Sequence, residues 1–176
     1  MPGLTGIHHV KLPVTDMSRS VRWYREVFGF RPEYEFRDGD GSVGGVAGSV
    51  PGLDATELCL RMNHAAAQGC KGFDPVSFGA RDRADLEGWA ARLDELGIAH
   101  SPIIEASIGW LLVFNDPDGL ELHLYTWAAH GIDQSGRAGY GTAIADPDSW
   151  QPLVRPGSGR CSRPRRPVSV RPRSRR

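Results

Sequence analysis

From His8 onward the chain alternates in strand fashion, with Val10, Leu12 and Val14 on one side and His9, Lys11 and Pro13 on the other. A period of two marks a strand with one apolar and one chemically mixed face. Asp16 then stands where a helix N-cap belongs, ahead of Met17, Val21, Tyr24 and Phe28 at helical spacing, and Gly29 offers the left-handed stop. Extended stretches are predicted over about 30–36, 42–50 and 56–63, separated by Gly, Asp and Pro.

The same order returns sixty-six residues later. Val76, Phe78 and Ala80 alternate with Pro75, Ser77 and Gly79. Asp82 precedes a helical pattern of Leu86, Trp89, Ala90, Leu93 and Leu96, and Gly97 ends it. Extended stretches follow over about 99–105, 108–114 and 120–127, the last entered through the turn sequence Asp116-Pro117-Asp118-Gly119. Each copy reads βαβββ, one over about 4–66 and the other over about 73–128. A unit of roughly sixty residues is marginal alone, so the two copies are expected to share a core. The predicted fold class is α+β, with both modules in one curved eight-stranded mixed sheet and the helices on its outer face.

Composition adds a contrast hidden by a net charge of zero. Nine of the 21 basic residues, all arginine, and none of the 21 acids lie beyond residue 150, so the tail carries +9 and the body −9. Residues 151–176, rich in Arg, Pro, Ser and Gly, are read as a disordered tail, and 129–150 as a loosely ordered connection. No aromatic is interleaved with the tail's arginines, which argues against nucleic acid as a partner. No apolar run reaches the roughly 20 residues that span a bilayer, and the N-terminus lacks a signal-like core, so the expectation is a cytoplasmic protein with no membrane partner. Cys59, Cys70 and Cys161 form an odd set without CxxC spacing, consistent with reduced thiols.

If the helices cover the face bearing Val10, Leu12, Val76 and Phe78, the concave face receives His9, Lys11, Ser77 and, from the last strand, Glu121, His123 and Tyr125. Parity alone then directs His9 and His123 into one cavity. Two histidines and a carboxylate suit iron or related ions with open positions. Glu57 and Glu121 share that face, but residues two apart on a strand are separated by roughly 6.6 Å, so a carboxylate must reach inward to join them. Lys11 and Arg61 suit an acidic substrate or salt bridges, Tyr125 and Trp110 could flank the cavity, Trp110 within IGWLLVF reads equally well as core, and Trp23 and Trp89 read as packing residues. His8 reads as structural, and His64, His100 and His130 as surface residues.

The paired modules, the HHVKLPVTD start, the WYREVFGF helix end and the DPDGLELHLY finish resemble the vicinal oxygen chelate superfamily, which includes glyoxalases, bleomycin-resistance proteins and extradiol dioxygenases. The resemblance covers about residues 4–128. It implies metal ligands on the first and last strand of each module, and these positions hold His9, Cys59, Pro75 and His123. Pro75 has no donor atom, and His123 stands where the family usually places glutamate. A site would then draw on His9 and His123 with Glu121, Glu57 or Cys59, holding a divalent metal such as iron, manganese, zinc or nickel. A Cys59 thiolate favours zinc or copper and a carboxylate favours manganese or iron.

Three functions follow from the resemblance. One is metal-assisted isomerase, lyase or dioxygenase chemistry on a small oxygenated molecule. The second is metal-free binding of an organic ligand, as in bleomycin-resistance proteins. The third is acid–base catalysis by His9, His123 and Glu121 without metal. Within the chain or between two chains, the modules of such proteins pair. A homodimer is expected here because symmetric dimers are common and sheet edges need cover.

Overall fold

A computed structural model describes residues 2–134, 136–141, 144–149 and 151. The proposed tail, 151–176, lies outside the described residues except for Gln151. The fold occupies the compact unit Met1–Gly141; in the second unit, Thr142–Arg176, Ser149 Oγ donates to the Asp146 carboxylate at 2.5 Å.

The first module runs β1 (His9–Val14), α1 (Met17–Phe28), β2 (Arg31–Arg37), β3 (Val43–Ser49) and β4 (Glu57–Met62), followed by a short helix α2 (His64–Gly69). The second runs β5 (Ser77–Ala80), α3 (Arg83–Glu95), β6 (Ile104–Glu105), β7 (Trp110–Asn115) and β8 (Glu121–Thr126). Both long helices begin as the sequence predicts. Asp16 accepts the Arg19 amide at 2.9 Å and Asp82 accepts the Asp85 amide at 3.1 Å, each satisfying a backbone donor that the helix leaves open. Gly29 closes α1 at φ 70°, a conformation that costs a glycine little.

The α+β architecture of two βαβββ modules is therefore present. Its eight strands are hydrogen-bonded as two four-stranded sheets, in the orders β1-β4-β3-β2 and β5-β8-β7-β6. This partition differs from the expected single curved sheet. The parallel pairs β1/β4 and β5/β8 close each module on itself, so β1 and β5 both end as edge strands. Two local differences accompany it. The stretch 99–105 yields only a two-residue strand and a bridge from His100 to Phe114. Residues 64–69, which carry no helical apolar period, form α2 because Asn63 caps it by accepting the Ala66 amide at 2.9 Å.

One core joins the modules. Leu12, Leu58 and Leu60 of the first sheet belong to the same buried cluster as Phe78, Leu122 and Leu124 of the second. Phe28 at the end of α1 is central, with its ring 5.1 Å from Phe78, 5.6 Å from Trp89 and 6.0 Å from Phe114. Burying each such side chain contributes roughly 1.5–3 kcal/mol. Trp23 and Trp89 pack against this cluster, as their helical spacing suggests.

A polar latch crosses the same boundary. The Tyr24 hydroxyl, fully buried on α1, donates to Asp116 Oδ2 at 3.0 Å. Asp116 Oδ1 also accepts the amides of Asp118 and Leu120, each at 2.9 Å. Asp118 in turn accepts from the Thr15 amide at 3.0 Å, from the Thr15 hydroxyl and from the Arg19 guanidinium. Burial pushes the Asp116 carboxyl above its ordinary range and, together with Asp116, pushes the Tyr24 phenol well above its own. At Asp118 burial acts in the same sense but is outweighed by the Thr15 and Arg19 hydrogen bonds, so its carboxyl titrates below the usual range.

Two outcomes are expected. Tyr24→Phe leaves a buried carboxylate one donor short and lowers unfolding free energy by about 1–3 kcal/mol in urea titrations. A depressed Asp118 value stabilises the fold fully above the ordinary aspartate pKa, about 3.9, and that contribution is lost as pH falls through the folded value. Urea midpoints of Asp118→Asn should accordingly fall less steeply below about pH 4 than those of the wild type.

Candidate functional site

Because both sheets turn their apolar faces to the shared core, the mixed faces point away from it. On the first sheet the register sets His9 opposite Glu57, Lys11 opposite Cys59 and Pro13 opposite Arg61. All of these but Pro13 line a hollow of about 360 Å³ with His8, Phe36, Gly45 and Ala47. Small side chains at Gly45 and Ala47 leave its floor open, a volume within the range of small-molecule pockets. His9 Nδ1 lies 3.2 Å from His8 Nδ1, and the two imidazoles meet edge to face with centroids 5.3 Å apart. Arg61 is held by Asp38 at 2.7 Å. Burial raises the Cys59 thiol above its ordinary pKa and the nearby Glu57 charge adds to this, while Lys11 opposes it. Such a thiol is a poor source of thiolate.

The second sheet carries the other half. His123 sits opposite Ser77, and Tyr125 opposite Gly79. The His123 ring is bracketed by carboxylates, with Nε2 2.8 Å from Glu121 Oε1 and Nδ1 3.4 Å from Asp74 Oδ2. Glu121 thus makes the inward reach along the strand that the two-residue spacing demands. Asp74, His123, Tyr125, Leu111 and Tyr140 line a hollow of about 440 Å³. Tyr140 belongs to the segment after β8, which is tied down by its hydroxyl on the Glu105 carbonyl at 2.7 Å and by the His130 amide on the Ile108 carbonyl at 3.0 Å.

His9 and His123 both lie on mixed faces, but parity did not bring them together: they line separate hollows. Trp110, which could flank the cavity or join the core, packs against the core. It has the parity of the buried Leu112 and Phe114, lies under the Arg83 guanidinium at 4.3 Å and meets His130 edge on, so it faces the helix layer. Tyr125 stays on the mixed face, its hydroxyl accepting the Ile108 and Gly109 amides at 3.1 and 3.3 Å.

Two residues gain importance. His8, read as structural, lines the first hollow. Asp74 is its counterpart sixty-six residues on, and it reaches His123 from beside the donorless Pro75. Aligning the repeats on their first residue rather than their second would have exposed this pair. Among the described residues no three His, Cys, Asp or Glu side chains converge as a metal centre. Both nitrogens of His123 already face carboxylates, and Cys59 lines a different hollow from His123, so the donors within one chain do not gather around one metal position.

The model of the glyoxalase/bleomycin resistance protein/dioxygenase superfamily matches residues 6–124. The chain belongs to that superfamily. Solved structures agree at the level of fold for this glyoxalase-superfamily protein. A glyoxalase/bleomycin resistance protein/dioxygenase domain from Frankia sp. EAN1pec is 29% identical, with 70% of this chain and 98% of that chain covered and a TM-score of 0.58. TnmS3, an antibiotic binding protein from Streptomyces sp. CB03234, is 22% identical over 72% of this chain and 98% of its own, with a TM-score of 0.59. A variant of the fosfomycin resistance protein FosX from Listeria monocytogenes, complexed with Mn(II) and a dihydroxypropylphosphonic acid, is 16% identical over 70% of this chain and 93% of its own, at 0.57. A search of curated proteins gives no match. Among the described residues no helix is long and apolar enough to cross a membrane.

If the carboxylates around His123 serve a ligand and not the fold, removing their charge should cost little stability. Asp74 and Glu121 side chains are 48% and 34% exposed. Asp74→Asn and Glu121→Gln are each expected to change unfolding free energy by less than about 1 kcal/mol. A larger loss in chemical denaturation would mark the cluster as structural.

Proposed function

We propose that this superfamily member binds a small oxygenated organic molecule in a cleft made by two copies of the chain, where the first mixed face of one meets the second mixed face of the other. The observation that carries this reading is that His9 and His123 line separate hollows, one on the mixed face of each sheet. Each hollow alone is half a site. β1 and β5 supply the free edges along which the copies join, and that junction yields the continuous eight-stranded sheet expected from the repeats. Lys11 lines the first hollow beside Glu57 and an Arg61 paired with Asp38, whereas Asp74 and Glu121 flank His123 in the second, so the Lys11 ammonium is the group of the first face that suits those carboxylates.

In such a cleft Lys11 and Arg61 meet an acidic group of the ligand, while His9, His123 and Tyr125 supply hydrogen bonds to its oxygens. Binding without metal is favoured by the engagement of both His123 nitrogens and by the proline at a usual ligand position. The antibiotic-binding neighbour TnmS3 supports the same reading. The protein would act as a cytoplasmic homodimer, where Cys59 and Cys70 remain free thiols.

Complementation tests the shared cleft. The full chain should sediment as a dimer, and a ligand found by thermal shift should stabilise it but neither His9→Ala nor His123→Ala. Refolding the two variants together makes mixed dimers in which one cleft is intact, restoring about a quarter of wild-type sites in calorimetric titration. No recovery would sink the shared cleft. Stoichiometric iron, manganese, zinc or nickel in the wild type, lost in His9→Ala, would overturn the metal-free part of the reading.

A further inference from the structure

Trp127 is the part of the second mixed face that His9 and His123 do not explain. The residue is 84% exposed. Its backbone is fixed, because the Trp127 amide donates to the Ala80 carbonyl at 2.8 Å and the Ala128 amide to the Arg81 carbonyl at 2.9 Å, carrying the β5/β8 pairing past the end of β8. Parity continues the series Glu121, His123, Tyr125, so the indole rises on the mixed face.

There it lies across Gly79. A Cβ at that position would overlap Nε1, Cε2 and Cζ2 of the indole, so three ring atoms rest on bare backbone. Gly79 pairs with Tyr125, which places the two aromatics side by side. The exposed side of this arrangement borders a hollow of about 290 Å³ lined by Ser77, Gly79, Tyr125 and Trp127. Tyr125 also lines the hollow that holds His123 and Asp74, so the two hollows adjoin at that ring. A rigid ring with one side supported by glycine and the other side open forgoes much of the burial energy an indole can gain. Its π-face is the surface left to be used, and aromatic partners prefer offset stacking on such a face.

We propose that Trp127, flanked by Tyr125, is a stacking wall of the ligand cleft and that the ligand carries a planar aromatic ring. This rests on the reading that the mixed faces bind a small organic molecule, and it names that molecule's class. The ring lies on Trp127, and a polar or acidic substituent points toward His123 and the Lys11 side of the facing copy.

The test compares 2-naphthoate with its saturated decahydro counterpart, two carboxylates of similar size that differ in having a π-face. Calorimetry on the full chain should show about tenfold tighter binding of 2-naphthoate. Trp127→Ala should bring the two affinities together, and Trp127→Phe should retain part of the preference. Naphthalene proton resonances should move upfield on binding to wild type but not to Trp127→Ala. Equal affinities in the wild type, failure of 2-naphthoate to bind, or a preference that survives Trp127→Ala would overturn the proposal. A dimeric wild type with a monomeric Trp127→Ala would also overturn it, by showing the ring to be a contact between copies. Recovery in the His9/His123 complementation alongside equal affinities would discard the wall and keep the shared cleft. A Trp127-dependent preference without recovery would do the reverse.

Discussion

The buried hydrogen bond between Tyr24 and Asp116 fixes how the rest of the molecule is arranged. A phenol and a carboxyl taken out of water cost several kcal/mol unless each finds its partners. Here Asp116 meets Tyr24 together with the two amides of its own turn, so the helix of the first module is registered on the last turn of the second. Thr15 and Arg19 on Asp118 repeat the link at the start of that helix. The aromatic contacts of Phe28 then fill the space between. Once the two apolar faces are committed to each other in this way, both mixed faces must look outward.

That constraint separates chemistry from stability. The latch lies at the helix side, and the candidate ligand residues sit on faces that contribute little to the core. At position 75 the second module has a proline without a donor atom, and the acidic side chain at that end is Asp74, one residue earlier, 3.4 Å from His123 of the same module. In the first module the equivalent step back leads to His8, which lies against His9. The two halves have kept the place of the polar group and changed its charge.

Much of the fold was legible because it is written locally. Asp16, Gly29 and Asp82 announce helix ends through their own backbone chemistry, and the period-two stretches around Val10, Phe78 and Leu122 name their buried faces. The division into two sheets was not legible, because hydrogen-bond partners of edge strands depend on contacts far apart in sequence. The short β6 and the unannounced α2 are decided by tertiary packing and by a single cap, Asn63. For the site, parity identifies the face of His9, Glu121, His123 and Tyr125 but not which faces meet. The same parity includes Trp127, which goes unnoticed when attention stops at residues able to ligate a metal. For Trp110 the aromatic ring suited a cavity wall and the apolar run IGWLLVF suited the core, and its parity with Leu112 and Phe114 decides for the helix side.

The asymmetry of the two modules has a consequence for recognition. Two identical faces meeting about a two-fold axis would give a cleft with matching walls. In this chain the first mixed face carries His8, His9, Lys11, Glu57 and an Arg61 paired with Asp38, and the second carries Asp74, Glu121, His123 and Tyr125. In the proposed dimer each cleft would join a face of mixed charge to an acidic one, and a ligand would find different partners at its two ends. Duplication therefore supplies the scaffold, and divergence between the copies supplies direction.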